Sequence, residues 1–216
     1  NFDGLGYTGW FPPDPNGDVG PNHYIEVVNT SVAIFDKTGT MLANFHYNTL
    51  FATANPPCNA PLLRGDPIVL YDAIADRWLL TDFAFANSNG PFYECIAVSK
   101  IADPVSGGWW LYTLQADATL FNDYPKLGVW SDGIYMSADM FVGRTGPFSN
   151  VRVWAFNRTD LISGGPVKNV YFDISSSYIH LLPSNLRGAT MPPGGTPNFF
   201  ASVDEPNIFR LWKFQV

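Results

Sequence analysis

The sequence predicts an all-β protein, a β-propeller of repeated four-stranded antiparallel blades. Three observations carry that expectation. One strand pattern occurs four times, at Ser31–Thr38 (SVAIFDKT), Cys95–Ile101 (CIAVSKI), Val151–Thr159 (VRVWAFNRT) and Ile208–Val216 (IFRLWKFQV). A second pattern lies upstream of each copy, at His23–Asn29, Arg77–Ala84, Gly133–Met140 and Asn198–Asp204. The composition, 16% aromatic and 14% charged with 19 Gly and 18 Pro, suits short strands joined by tight turns. A repeat of roughly 60 residues is too long for one hairpin and right for a four-stranded unit arranged radially.

Each element follows from these repeats. The inner strands are expected to open at Gly17-Asp18, Gly65-Asp66 and Asn122-Asp123, with Arg187-Gly188 near the equivalent place in the fourth unit. The two repeated strands follow in each unit. Outer strands are expected at Thr40–Tyr47, Trp109–Gln115 and Asn169–Ile174. Asp160–Ser163 is the one stretch expected to make a helical turn. The units run over about 12–50, 62–116, 121–176 and 182–216, so that residues 1–216 form one propeller domain or a fragment of a larger propeller. The fourth unit holds three strands. Its incomplete blade leaves an unpaired edge that invites assembly with another chain.

Charge narrows the partners. The net charge is −7, and the twelve Lys and Arg never form a run. Nucleic acid and anionic lipid both need a basic surface, so neither is expected. No apolar run approaches the ~20 residues of a membrane span. The sequence opens on Asn1 without a signal-peptide pattern, as a processed or trimmed N-terminus would. The two cysteines, Cys58 and Cys95, read either as a disulfide, which needs an oxidising compartment, or as two free buried thiols. The sequons at Asn29 and Asn157 are glycosylation candidates only in a host that uses them.

Four blocks occur in order: Pro12–Met41 (PPDPNGDVGPNHYIEVVNTSVAIFDKTGTM), Gly65–Ala84 (GDPIVLYDAIADRWLLTDFA), Cys95–Pro104 (CIAVSKIADP) and Asp123–Asp139 (DYPKLGVWSDGIYMSAD). With them the chain resembles a family of secreted bacterial β-propeller domains found in large exported and cell-surface proteins. The resemblance implies a propeller fold, export and a pairing of Cys58 with Cys95. It implies no established activity.

The residues themselves offer two kinds of site. Asp14, Asn16 and Asp18 place oxygen ligands at alternate positions of a tight loop, as a calcium site requires. The pattern is not an EF-hand, since Val19 stands where that loop needs Gly and Ile25 where it needs Glu. The plainer expectation is an Asx-rich turn. Rotational repetition would bring Asp18, Asp66 and Asp123 to one mouth of the central channel. Like charges there would raise each other's pKa unless a cation compensates, which makes Asp14, Asn16, Asp18, Asp66 and Asp123 the candidate calcium ligands. The alternative is that each Asp caps its turn and braces the neighbouring blade. Asp82, Asp139 and Asp204 are expected to satisfy backbone groups at strand ends.

Signatures of catalysis are scarce. His23, His46 and His180 lack metal-ligand spacing, and no G-x-S-x-G or phosphate-binding glycine loop is present. If the chain is a glycosidase, Asp18, Asp66 or Asp123 would act as base or nucleophile and Glu205 as acid. Of the Trp residues, the adjacent Trp109-Trp110 is the best candidate for an exposed sugar platform, because neighbouring strand residues point to opposite faces. The expected function is therefore a secreted or cell-surface binding or structural module for protein or polysaccharide, stabilised by calcium. The alternative is a polysaccharide-active hydrolase or lyase.

Overall fold

The computed structural model describes residues 1–59, 62–188, 190–204 and 206–216. The fold is all-β. β1 (Pro15–Val19), β2 (His23–Val28), β3 (Ser31–Asp36) and β4 (Met41–His46) make the first antiparallel sheet in sequential order. β5 (Ile68–Asp72), β6 (Arg77–Phe85), β7 (Phe92–Ser99) and β8 (Trp109–Asp117) make the second. β9 (Leu120–Val129), β10 (Gly133–Val142), β11 (Phe148–Asn157) and β12 (Asn169–Ile174) make the third. The fourth has three strands, β13 (Leu182–Pro183), β14 (Asn198–Asp204) and β15 (Ile208–Phe214). The repeated strand of the sequence is thus the third of each sheet. Two short helices, α1 (Tyr47–Leu50) and α2 (Arg158–Ser163), lie beside the first and third sheets. Asn157 caps α2 by accepting from Asp160 N.

The sheets stack face to face. Period-two alternation gives each middle strand two apolar faces, and each face meets a different neighbour. Ile25, Val27, Val32 and Ile34 of sheet one pack on Leu80, Cys95 and Ala97 of sheet two. Leu79, Ile96 and Val98 on the other face of sheet two pack on Ile134, Met136, Trp154 and Phe156 of sheet three. Tyr135, Val151 and Val153 then meet Phe200 and Phe214 of sheet four. The first strands follow the same order, with β1 beside β5, β5 beside β9 and β9 beside β13.

The two ends of the stack differ. The free face of sheet one is covered by the N-terminal segment. There Phe2 lies 5.0 Å from Phe35, and Leu5 N donates to Glu26 Oε2 at 2.8 Å. The free face of sheet four is bare. Phe209 and Leu211 of its third strand are 64% and 59% exposed, whereas Val151 and Val153 of the third strand of sheet three, on the face that meets sheet four, are 0% and 3% exposed.

Polar seams join the sheets. Asn16 Oδ1 accepts from Val69 N at 2.9 Å, and Asp18 Oδ2 from Tyr71 N at 2.8 Å. Two side chains of β1 thereby satisfy the N–H groups on the free edge of β5. Asn185 Oδ1 does the same for Val129 N of β9, at 3.0 Å. Arg158 forms a bidentate pair with fully buried Asp72 at 2.6 and 2.8 Å, linking sheets two and three. Cys58 and Cys95 form a disulfide, both buried, which ties the loop after α1 to β7.

Candidate functional site

The turns that lead into the inner strands meet at one mouth. Asp66 just before β5, Tyr124 within β9 and His180 just before β13 adopt left-handed φ values of 56°, 52° and 55°. Non-glycine residues rarely take this conformation, and each costs on the order of 1 kcal/mol. The recurrence is a device: the same backbone kink brings three polar side chains to the shared mouth.

A cleft of about 380 Å3 opens there. Asp14, Asp66 and Asp123 line it together with Arg64 and Arg144. Trp10 and Phe11, 46% and 91% exposed, form an aromatic rim. Burial holds the Asp66 carboxyl up at about 6, with Asp123 and Asp14 adding repulsion and Lys126 opposing it. Burial also raises Asp123 and Asp14, and Lys126 works against both shifts.

Lys126 is the cation that the crowded carboxylates require. Burial lowers its own pKa, while Asp66, Asp139, Asp123 and Asp14 all act to raise it. Its ammonium sits 3.4 Å from the Tyr124 ring centroid and donates to Pro125 O at 3.0 Å. On the other side of Tyr124, 4.9 Å between centroids, lies the His180 ring. His180 is clamped by buried Asp139. The backbone N donates to Asp139 Oδ1 at 3.0 Å, and Nδ1 lies 2.5 Å from Oδ2.

A second layer of polar groups lies beneath the mouth. Glu94 is 1% exposed, and burial raises its pKa to about 8. Asn122 Nδ2 donates to Glu94 Oε2 at 2.9 Å, while Glu94 Oε1 and Asn122 Oδ1 have no partner among the described residues. Asp82, on the opposite face of sheet two, accepts from Gly65 N at 2.9 Å, and burial raises its pKa well above the ordinary value.

The expected trio of Asp18, Asp66 and Asp123 is therefore divided. Asp66 and Asp123 share the cleft, and their third companion is Asp14. Asp18 lies inside β1, where Tyr71 N, Val19 N and Arg187 hold it in the seam. The Gly-Asp pairs look alike in sequence but fall at different registers, since Asp66 precedes its strand and Asp18 lies within one. Asn16 is engaged in the same seam, so Asp14, Asn16 and Asp18 do not converge as loop ligands. Among the described residues no group of three or more His, Cys, Asp or Glu side chains is arranged to hold a metal ion. Glu205 lies outside the described residues. Asn29 is buried, and its Nδ2 donates to Asp14 Oδ2 and Pro12 O. Asn157 is exposed.

Sequence reasoning missed Lys126, Arg64, Arg144, the rim of Trp10 and Phe11, and the pairing of His180 with Asp139. One signal was present. Lys126 is a cation inside a strand whose later residues, Leu127–Val129, are buried. The exposed-platform candidates Trp109 and Trp110 are both half-buried, and Lys100 Nζ sits 4.2 Å above the Trp110 ring. Compared with known proteins, the chain matches no family model and no curated relative.

Proposed function

We propose that this chain is a secreted or cell-surface β-propeller module that binds a glycan at the cleft where its inner strands meet. Support for the propeller comes from the ordered inner strands β1, β5, β9 and β13, each opening an antiparallel sheet that stacks on the next. The disulfide supports an oxidising compartment. One observation carries the binding function: exposed Trp10 and Phe11 border a cleft lined by carboxylates and guanidinium groups. Sugars are recognised by stacking on aromatic faces while side chains such as these bond their hydroxyls. The test is titration of soluble oligosaccharides, followed by Trp fluorescence and calorimetry, on the intact chain and on Trp10→Ala and Phe11→Ala. Either substitution should weaken binding at least tenfold with little change in melting temperature. Unchanged affinity in both would end the proposal.

One observation favours a second reading, a hydrolase. Asp66, raised to about 6 beside Asp123, is partly protonated in mildly acidic solution, as a paired acid and base require. Depolymerisation of a polysaccharide at pH 5–6 that Asp66→Asn and Asp123→Asn both abolish would establish it. Binding without product formation would leave the module a binder.

A further inference from the structure

Resting on the glycan-binding reading, we infer that the cleft is built for an acidic glycan, whose carboxylate or sulfate is held between Arg64 and Arg144. The two residues come from different sheets. Arg64 lies just before β5 and Arg144 in the β10–β11 turn, yet both guanidinium carbons stand over the single ring of Phe85, at 5.4 and 5.8 Å. That ring fixes two planar forks on one wall of the cleft.

These two arginines are treated differently from those of the seams. Arg152 pairs with Asp117 and Asp173, Arg158 with Asp72, and Arg187 with Asp18. Among the described residues, neither the Arg64 nor the Arg144 side chain makes an ion pair or a hydrogen bond, and Arg64 Nε is buried without an acceptor. In a chain with 19 acidic side chains against 12 basic ones, carboxylates to pair with are abundant. Lys126 acts on all three acids of the mouth and Arg144 on Asp123 through charge alone, so the guanidinium donors of the arginine wall stay without an acceptor among the described residues. A guanidinium fork matches the paired oxygens of a carboxylate or sulfate, and two forks on one ring would grip such a group from two sides. A neutral sugar offers the forks single hydroxyl acceptors and no charge, whereas a carboxylate or sulfate offers paired, charged oxygens, and that difference is the source of selectivity.

The experiment titrates the intact chain with trigalacturonate, a sulfated galactotriose and neutral galactotriose by calorimetry at pH 7.5. The expected result is at least tenfold tighter binding of one or both acidic ligands. Arg144→Gln, at an exposed position, should remove that preference, bringing the affinity for the acidic ligands down to that for neutral galactotriose. Arg64→Lys keeps the charge and loses the fork, and should remove most of it. Equal affinity for neutral and acidic ligands, or a preference that survives Arg144→Gln, overturns the inference while glycan binding stands. Binding of none of the three, with Trp10 fluorescence unchanged, overturns the inference and counts against glycan binding itself.

Discussion

Replacing Glu94 with Gln should stabilise the protein, and by an amount that depends on pH. Glu94 is buried between sheets two and three, and its pKa rises from the ordinary 4.5 to about 8 because burial disfavours the charged form. A raised carboxyl contributes its full stability below the unfolded pKa and loses it as pH rises toward the folded one. Below pH 4.5 the group is protonated in both states and contributes nothing to the pH dependence. Between 4.5 and about 8 the unfolded chain releases the proton and the folded chain keeps it. Folding then loses about 1.4 kcal/mol per pH unit, approaching about 5 kcal/mol in total. Gln has no proton to lose. It retains the acceptor for Asn122 Nδ2. Asp66 and Asp82 lose stability in the same direction, but they are present in both proteins and largely cancel in the difference. Guanidinium unfolding of wild type and variant at pH 4, 5, 6, 7 and 8 measures it. The variant's advantage should grow steadily through this range. A difference that stays constant from pH 4 to pH 8 would show that Glu94 ionises normally in the folded protein, and would refute the reasoning.

Three further outcomes are expected. Val153→Ala should cost about 2 kcal/mol and Leu211→Ala well under 1 kcal/mol, although both are apolar residues of the third strand of their sheets, because one is 3% and the other 59% exposed; equal losses in thermal melts would mean that sheet four is covered in solution. Replacing both Cys58 and Cys95 with Ser should cost about 4 kcal/mol in the chain-entropy account, from a sequence separation of 37 residues, read as a lower denaturation midpoint. Lys126→Met removes the cation from among Asp14, Asp66, Asp123 and Asp139, so that the raised carboxyls rise further. The drop in melting temperature should be larger at pH 8 than at pH 5, and a pH-independent drop would point to lost packing instead.

The fold was legible where burial imposes a period. Strands such as Val151–Asn157 sit between two other sheets, so almost every side chain is apolar or paired, and the pattern recurs wherever the environment recurs. On the residues alone Cys58 and Cys95 were open between a disulfide and two free thiols, and the resemblance implied the pairing that the structure shows. The mouth was legible in part. Asp66 and Asp123 were identified from their repeat positions and do line one cleft, but Asp18 was grouped with them on the likeness of Gly-Asp pairs. Asp14 precedes β1 as Asp66 precedes β5 and so reaches the mouth, whereas Asp18, four positions further on inside β1, is held in the seam. Arg64 and Arg144 were invisible for a different reason. They are separated by 80 positions and meet only over Phe85, so no local spacing marks them.

By itself, then, the sequence determined the class of architecture. Strand alternation, turn residues and a repeated unit are local properties, set by the few neighbours each residue meets along its own hairpin. Only the tertiary structure decided which polar side chains share a space. It set Lys126 among four carboxylates, His180 against Asp139 and two arginines on one aromatic ring. It also left Phe209 and Leu211 bare while Val151 and Val153 are buried. These pairings arise from turns of separate sheets converging at one end, and the free energy of a charged group depends on that convergence rather than on its neighbours in the chain.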